Sequence, residues 1–180
     1  MTSSSLRIAS MNCRGLGDSS KRRDVFHYLR ELNFSFYLLQ DTHFTDRIEQ
    51  QVKSEWGYDA YFSSFRSNSR GVAVLINNNI EYKLLKCMND RNGNFIILHV
   101  KIFDKEFLIV NIYGPNEDNP DFYTYIEDCI RTFDVTENVI IAGDFNLVLD
   151  FENDCCNYIR RNNVLASEKV EDLIGKLESC

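Results

Sequence analysis

The 180-residue chain has six cysteines, Cys13, Cys87, Cys129, Cys155, Cys156 and Cys180, and no two stand at CxxC spacing. The three histidines, His27, His43 and His99, add no zinc-ligand pattern to them. A structural zinc module is therefore not expected, and the neighbours Cys155 and Cys156 read as ordinary thiols in a polar loop. The N-terminus MTSSSLRIAS has no long apolar run, which argues against a secretory signal or a membrane span there. The thiols then read as reduced, in a nuclear or cytoplasmic protein. Only two prolines occur, Pro115 and Pro120, close together, and no Gly/Ser-rich linker or repeat interrupts the chain. The expectation is one domain over 1–180 with one sizeable core. Positive charge is in deficit, with a formal net charge of −7. That argues against nucleic-acid binding through bulk electrostatics, although a metal ion with a local basic patch can still hold a phosphate. Lys21, Arg22, Arg23, Arg66, Arg70, Arg160 and Arg161 are the candidates for such a patch, and for most of them solvated surface charge is the simpler reading.

Apolar periodicity is abundant. Leu6 to Asn12, Phe36 to Gln40, Tyr58 to Phe62, Gly71 to Ile76, Tyr82 to Met88, Phe95 to Ile102, Phe107 to Tyr113 and Asn138 to Ala142 read as strands. Helices are expected over Lys21 to Leu32, with Val25, Tyr28, Leu29 and Leu32 on one face, and over Thr45 to Trp56, Asp121 to Phe133 and Ser167 to Glu178. The last has acidic residues in its first turn, where the helix dipole favours them. DRNGN (Asp90 to Asn94) and FDKE (Phe103 to Glu106) read as hairpin turns, the first around a tight Asn-Gly. Hairpins mixed with helix–strand units give an α/β (α+β) sandwich rather than a plain parallel sheet.

Four of these strands end in polar residues. Asn12 follows LRIASM, Gln40 and Asp41 follow FYLL, Asn111, Tyr113 and Asn116 follow FLIV, and Asp144 and Asn146 follow VIIAG. Ligand sites in layered α/β folds collect beyond strand ends. Carboxylates suit a hard cation such as Mg²⁺, and amide and phenol donors suit phosphate oxygens. Taken singly, each residue has a plainer reading: a turn for Asn12, Gly143-Asp144 or Asn116, a helix cap for Asp41, a core aromatic for Tyr113.

Their joint order carries more. Asn12, LLQDTH (Leu38 to His43), SRGVAVLI (Ser69 to Ile76), NIYGPN (Asn111 to Asn116) and AGDFN (Ala142 to Asn146) together resemble the endonuclease/exonuclease/phosphatase family. The resemblance runs from about Leu6 to Asp150 and is greatest to the endonuclease domain of LINE-type (non-LTR) retrotransposons. It implies two packed mixed β-sheets flanked by helices, a four-layer sandwich, and hydrolysis of phosphate esters with Mg²⁺ or Mn²⁺. By the resemblance, Asp41 and Asn12 serve the metal. Asp144 positions or deprotonates the attacking water, Asn146 contacts the scissile phosphate and Tyr113 supports it, while Asn116 and Arg70 hold substrate. The expected partner is DNA, nicked on one strand, with a reverse transcriptase domain in the same polyprotein.

Two departures qualify this expectation. The family's metal-binding glutamate is Asp41 here, shorter by one carbon–carbon bond, about 1.5 Å. Asp41 then reaches an ion through water, or binds it weakly. The family's late aspartate and Ser-Asp-His ending are also absent, so the chain reads as C-terminally truncated and weak or inactive; loss of a positioned acid–base group costs about 10²–10⁴-fold in rate. His27 and His99 read as structural or exposed, and His43 lies nearest the site. The alternatives are a catalytically dead remnant acting as a binding module, or a family member acting on abasic DNA or a phosphoinositide.

Overall fold

A computed structural model of the chain describes residues 5–135, 137–148 and 164–178. Cys155, Cys156, Cys180, Arg160 and Arg161 lie outside the described residues. Eight strands form two mixed four-stranded sheets. In sheet 1, β1 (Ile8–Asn12) runs parallel to β2 (Phe36–Gln40), which pairs antiparallel with β4 (Val72–Ile76), and β3 (Ala60–Ser63) closes the other side. In sheet 2, β5 (Lys83–Asn89), β6 (Phe95–Ile102) and β7 (Lys105–Tyr113) form an antiparallel meander, and β8 (Val139–Asp144) is parallel to β7.

Side chains alternate across each strand, so each central strand feeds two cores. Phe36 and Leu38 of β2, Val72, Val74 and Ile76 of β4, Ile96 to Ile102 at alternate positions of β6, and Ile109 of β7 fill the layer between the sheets. Tyr37, Leu39, Ala73 and Leu75 face the other way, onto α1 (Ser19–Leu32) and α2 (Glu49–Trp56). Phe95, Ile97, Leu108, Val110 and Ile112 pack beneath α3 (Pro120–Arg131). The order helix, sheet, sheet, helix is the four-layer sandwich. A further helix, α4 (Val164–Glu178), lies on α3 through Tyr123, Ala166 and Val170. Among the described residues no helix is long and apolar enough to cross a membrane.

Local chemistry explains most element ends. The Asp18 side chain caps α1 by accepting from the Lys21 N–H at 2.8 Å, and Asn33 closes it in a left-handed turn. The buried stripe of α1 is Arg22, Phe26 and Leu29, whereas Tyr28, expected on that face, is exposed. The reason is Arg22. Its guanidinium is bidentate to Glu55 at 2.6 and 2.9 Å and donates to the Leu16 and Gly17 carbonyls, so it can lie buried, and it offers nothing to a phosphate patch. α2 starts at Glu49, four residues later than expected, because Ile48 supplies no side-chain cap and residues 46–48 form turns. α4 starts three residues early and has no acid in its own first turn. Asp118, from the segment before α3, caps it instead, accepting from the Leu165 and Ala166 N–H groups.

The turn between β6 and β7 is only Phe103-Asp104, both left-handed, as a two-residue hairpin demands. The DRNGN turn is a five-residue loop rather than a tight Asn-Gly turn. The Asp90 carboxylate gathers the N–H groups of Asn92, Asn94 and Phe95, and Arg91 and Gly93 take the positive φ angles.

Candidate active site

Register and parity build the site. Asn12 pairs with Gln40 in sheet 1, and Tyr113 pairs with Asp144 in sheet 2. Ile8, Ser10 and Asn12 share one face of β1, and Phe36, Leu38 and Gln40 one face of β2. Phe107, Ile109, Asn111 and Tyr113 do the same on β7, and Ile140, Ala142 and Asp144 on β8. All four faces look into the layer between the sheets, which is therefore apolar at one end and polar at the other. The polar end opens as a cleft of about 410 Å³, lined by Asp41, His43, Arg70, Asn94, Tyr113 and Asn116 among others.

Beneath the cleft is a buried amide network. Gln40, 1% exposed, donates from Nε2 to Asn111 Oδ1 at 2.7 Å and to Ser10 Oγ at 3.0 Å. Asn111, 0% exposed, donates from Nδ2 to the carbonyls of Leu39 at 3.0 Å and Ala73 at 2.9 Å. Leu39 and Ala73 are cross-strand partners on β2 and β4, so one side chain of sheet 2 fastens two strands of sheet 1.

Above the network the two sheets meet directly. Asn12 Nδ2 donates to Asp144 Oδ2 at 2.5 Å, and the Asn146 N–H donates to Asp144 Oδ1 at 3.1 Å. Within sheet 2, Gly143 lets β8 lie close against β7: a Cβ there would stand 2.0 Å from the Ile112 carbonyl oxygen. Asn146 Nδ2 donates to the Gly114 carbonyl at 2.7 Å, which ties the loop after β8 to the loop after β7. Asn94 ties in the remaining wall. It accepts from Arg70 Nη1 at 3.2 Å and exchanges hydrogen bonds with the backbone of Tyr113 at 2.6 and 3.2 Å.

Asp41 does not cap a helix. It turns back in a left-handed conformation, as do Arg14, His43, Arg70 and Asn146 around it. Non-glycine residues held in that region cost of order 1–3 kcal/mol each and collect where surrounding structure fixes a functional geometry. His43 Nε2 lies 2.9 Å from Asp41 Oδ1. Gly15 makes room for the ring, since a Cβ there would lie 2.8 Å from His43 Nδ1.

The Tyr113 phenol reports how closely these groups converge. Its pKa is raised, first by burial and then by the negative charges of Asp41 and Asp144, while Asn146 and Arg70 oppose the shift. The hydroxyl stays protonated and is a donor at neutral pH. Next to Asn12, burial pushes the Cys13 thiol up to about 12, so it is no nucleophile.

The structure thus brings Asn12, Asp41, Arg70, Tyr113, Asn116, Asp144 and Asn146 to one end of the sandwich. Of the basic candidates, Arg22 is buried, and Lys21 donates its ammonium to the Cys13 and Arg14 carbonyls at 2.9 and 3.0 Å. Arg70 lines the cleft, and Arg66 and Arg70 both lie on Phe65, their guanidinium carbons 4.8 and 5.2 Å from the ring centre. His27 is exposed and pairs with Glu31, and His99 pairs with Glu106. The sequence sets Gln40 and Asn111 among the polar strand ends without giving either a role, and it does not mark Asn94 beyond the DRNGN turn. Parity with Asn12 and Tyr113 is the signal that assigns the first two to the inter-sheet face.

The donor set suits a hard divalent cation. Asp41 lines the cleft, Asp144 lies near enough to Tyr113 to raise its pKa, and the Asn12 side chain stands beside Asp144, while no group of three His, Cys, Asp or Glu side chains is assembled among the described residues. Mg²⁺ is usually held by one or two carboxylates, with waters and substrate phosphates completing its shell. A zinc site would need more protein ligands than this.

Residues 9–153 match the Endonuclease/Exonuclease/phosphatase family, and the chain belongs to it. Members of this family are hydrolases, nucleases and phosphatases among them, and they generally use divalent metals. The chain is 27% identical over 147 residues to the Transposon TX1 uncharacterized 149 kDa protein of Xenopus laevis, covering 81% of this chain and 11% of that protein. Its fold matches an AP endonuclease from Archaeoglobus fulgidus with a TM-score of 0.66 at 18% identity, over 94% of this chain and 71% of that one. It also matches D. rerio TDP2, solved with a single-strand DNA product, with a TM-score of 0.60 at 18% identity, over 82% and 62%.

Proposed function

We propose that the chain is a metal-dependent phosphodiesterase that nicks DNA, the endonuclease segment of a LINE-type retrotransposon protein. The observation that carries this is the meeting of Asp41, Arg70, Asp144 and Asn146 around one protonated phenol, Tyr113, at the ends of two sheets. The similarity to a transposon protein supports DNA as substrate, with a reverse transcriptase domain elsewhere in such a polyprotein.

Asp41 and Asn12 would hold Mg²⁺ or Mn²⁺, which when bound neutralises phosphate charge and polarises the bond to be broken. Asp144, fixed by donors on both carboxylate oxygens, orients a water and takes its proton as the oxygen attacks phosphorus. Tyr113 and Asn146 donate to the oxygens on which charge grows, which is where fixed donors contribute most. Asn116 and Arg70 hold the flanking backbone. The nick leaves an end from which reverse transcription is primed. Among the described residues the only histidine lining the cleft is His43, and it is engaged by Asp41. Where the leaving oxygen takes its proton from solvent rather than from a positioned acid, turnover is slower by about 10²–10⁴-fold.

Supercoiled plasmid tests the proposal. Slow nicking that needs Mg²⁺ or Mn²⁺, stops with chelator and disappears in Asp144→Ala is the expected result. Nicking that survives chelator, or an Asp144→Ala variant as active as the parent, refutes it.

A further inference from the structure

Arg22 and Arg70 are seated in opposite ways. Arg22 is neutralised by the Glu55 carboxylate. Arg70 lines the cleft, and its guanidinium has only neutral partners among the described residues. These are the Phe65 ring, 5.2 Å from its central carbon, and Asn94 Oδ1, which accepts from Nη1 at 3.2 Å. The rest of the donor fork is open and the charge is uncancelled. Burial, Asp41 and Asp144 raise the Tyr113 pKa and Arg70 opposes them, which sets that charge beside the phenol.

Asn94 is placed to control where the fork points. The residue is 8% exposed. Its N–H donates to the Asp90 carboxylate at 3.2 Å, and its carbonyl accepts from the Tyr113 N–H at 2.6 Å. Next to it Gly93 lies against Gly71, where a Cβ would stand 2.6 Å from the Gly71 nitrogen. The Arg70 carbonyl accepts from the His43 N–H at 2.8 Å. Both backbones are thus fixed, and the Asn94 amide spans them: Oδ1 faces Arg70, and Nδ2 donates to the Tyr113 carbonyl at 3.2 Å. The reverse amide orientation would set donor against donor and acceptor against acceptor. An aspartate here would cancel the Arg70 charge and lose the second bond. A neutral amide aims the guanidinium and leaves it available to an anion.

We propose that Asn94 is a positioning residue: its amide holds the Arg70 guanidinium at one backbone phosphate of the substrate strand, beside Tyr113. The inference rests on the phosphodiesterase reading of the cleft and names the residue that sets its phosphate seat. Asn94 acts through Arg70 and through nothing else that touches DNA at that seat. One phosphate held by Arg70 contributes about 1 to the slope of log affinity against log salt.

The test measures binding of the whole chain to a DNA duplex in chelator, from about 50 to 200 mM salt. Arg70→Gln should weaken binding about tenfold and lower the salt slope by about 1. Asn94→Asp should lower the slope equally, because an ion pair then occupies Arg70. Asn94→Leu should weaken binding about threefold in the parent and change nothing in the Arg70→Gln background, as a residue acting through Arg70 must. An Asn94→Leu effect of equal size in both backgrounds means that Asn94 serves only the fold, and overturns the proposal. An unchanged slope in Arg70→Gln overturns it too. Arg70→Lys keeps the charge at an exposed position but lacks the fork. It should bind about threefold or more weaker at the parent's slope. Binding equal to the parent's overturns the aiming role even where the Asn94 variants fold poorly. Metal-dependent plasmid nicking by the parent is read alongside. Nicking that persists when these outcomes fail leaves the nuclease reading intact, and a parent that neither binds DNA nor nicks it overturns both.

Discussion

Asn111→Ala is the sharpest single test of how the two sheets are held together. The side chain is fully buried and makes three hydrogen bonds: one accepted from Gln40, and one donated to each of the Leu39 and Ala73 carbonyls. Each is worth about 1 kcal/mol net, giving about 3 kcal/mol for the set. The penalty for stranded partners is modest here. Gln40 keeps Ser10 and the Leu38 carbonyl as acceptors, and carbonyls tolerate a lost partner better than N–H groups do. Domains of ordinary stability hold about 5–15 kcal/mol, so this one change removes a large share. With a urea slope of about 2 kcal/mol per molar, the midpoint falls by about 1.5 M. Urea unfolding followed by far-UV circular dichroism reads the shift, and a change below about 0.3 M refutes the pin. A second variant separates position from stability. In Gln40→Leu with Asn111→Leu both partners become apolar, and such replacements are often near neutral for stability. The double variant should regain most of the lost midpoint yet nick poorly, because Asn12 and Asp144 come from different sheets and depend on the pinned register. Wild-type nicking by the double variant sinks the argument that the network serves the cleft.

The strands and their polar ends were legible because period-2 alternation is a local signal. Phe36–Gln40, a short apolar run, and Phe95–Ile102 fall where local patterning puts them, to the residue. Reading the same parity onward from Asn12 to Gln40, and from Tyr113 back to Asn111, would have placed the buried amides on the inter-sheet face. What parity cannot supply is a partner distant in sequence. Gln40 and Asn111 are 71 residues apart, Arg22 and Glu55 are 33 apart, and Asp118 caps a helix 47 residues on. Arg22 therefore looked like surface charge when it was core. Pattern reading placed His43 nearest the site but not against Asp41. That contact follows from left-handed backbone at Asp41 and at His43, and no periodicity survives such turns. The sequence thus displayed where polar chemistry would gather, while how each group is held depended on contacts that only the packed sheets create.

Two further perturbations separate structural charge from charge that serves the cleft. Arg22→Lys breaks the bidentate pairing with Glu55 in a site 2% exposed. It should lower stability by about 2–4 kcal/mol without changing DNA affinity, as thermal melts and a filter-binding titration would show; weakened binding at full stability contradicts that assignment. The second concerns Glu127 of α3, whose buried carboxylate accepts from Lys169 at 2.5 Å and Lys176 at 3.0 Å of α4 and from Arg131 at 2.5 Å. These cations, Lys169 foremost, hold its pKa below the ordinary carboxylate value. A lowered folded pKa means the unfolded chain binds the proton first as pH falls. The stabilisation is therefore fully present above about pH 5 and drains away as acid reaches the folded pKa. Glu127→Gln should cost about 1–3 kcal/mol at pH 7 and flatten the stability profile below pH 5. If the parent and the variant lose stability in parallel between about pH 5 and 3, the cations do not anchor α4 through this carboxylate, and its seat on α3 must come from the apolar contacts of Tyr123, Ala166 and Val170 alone.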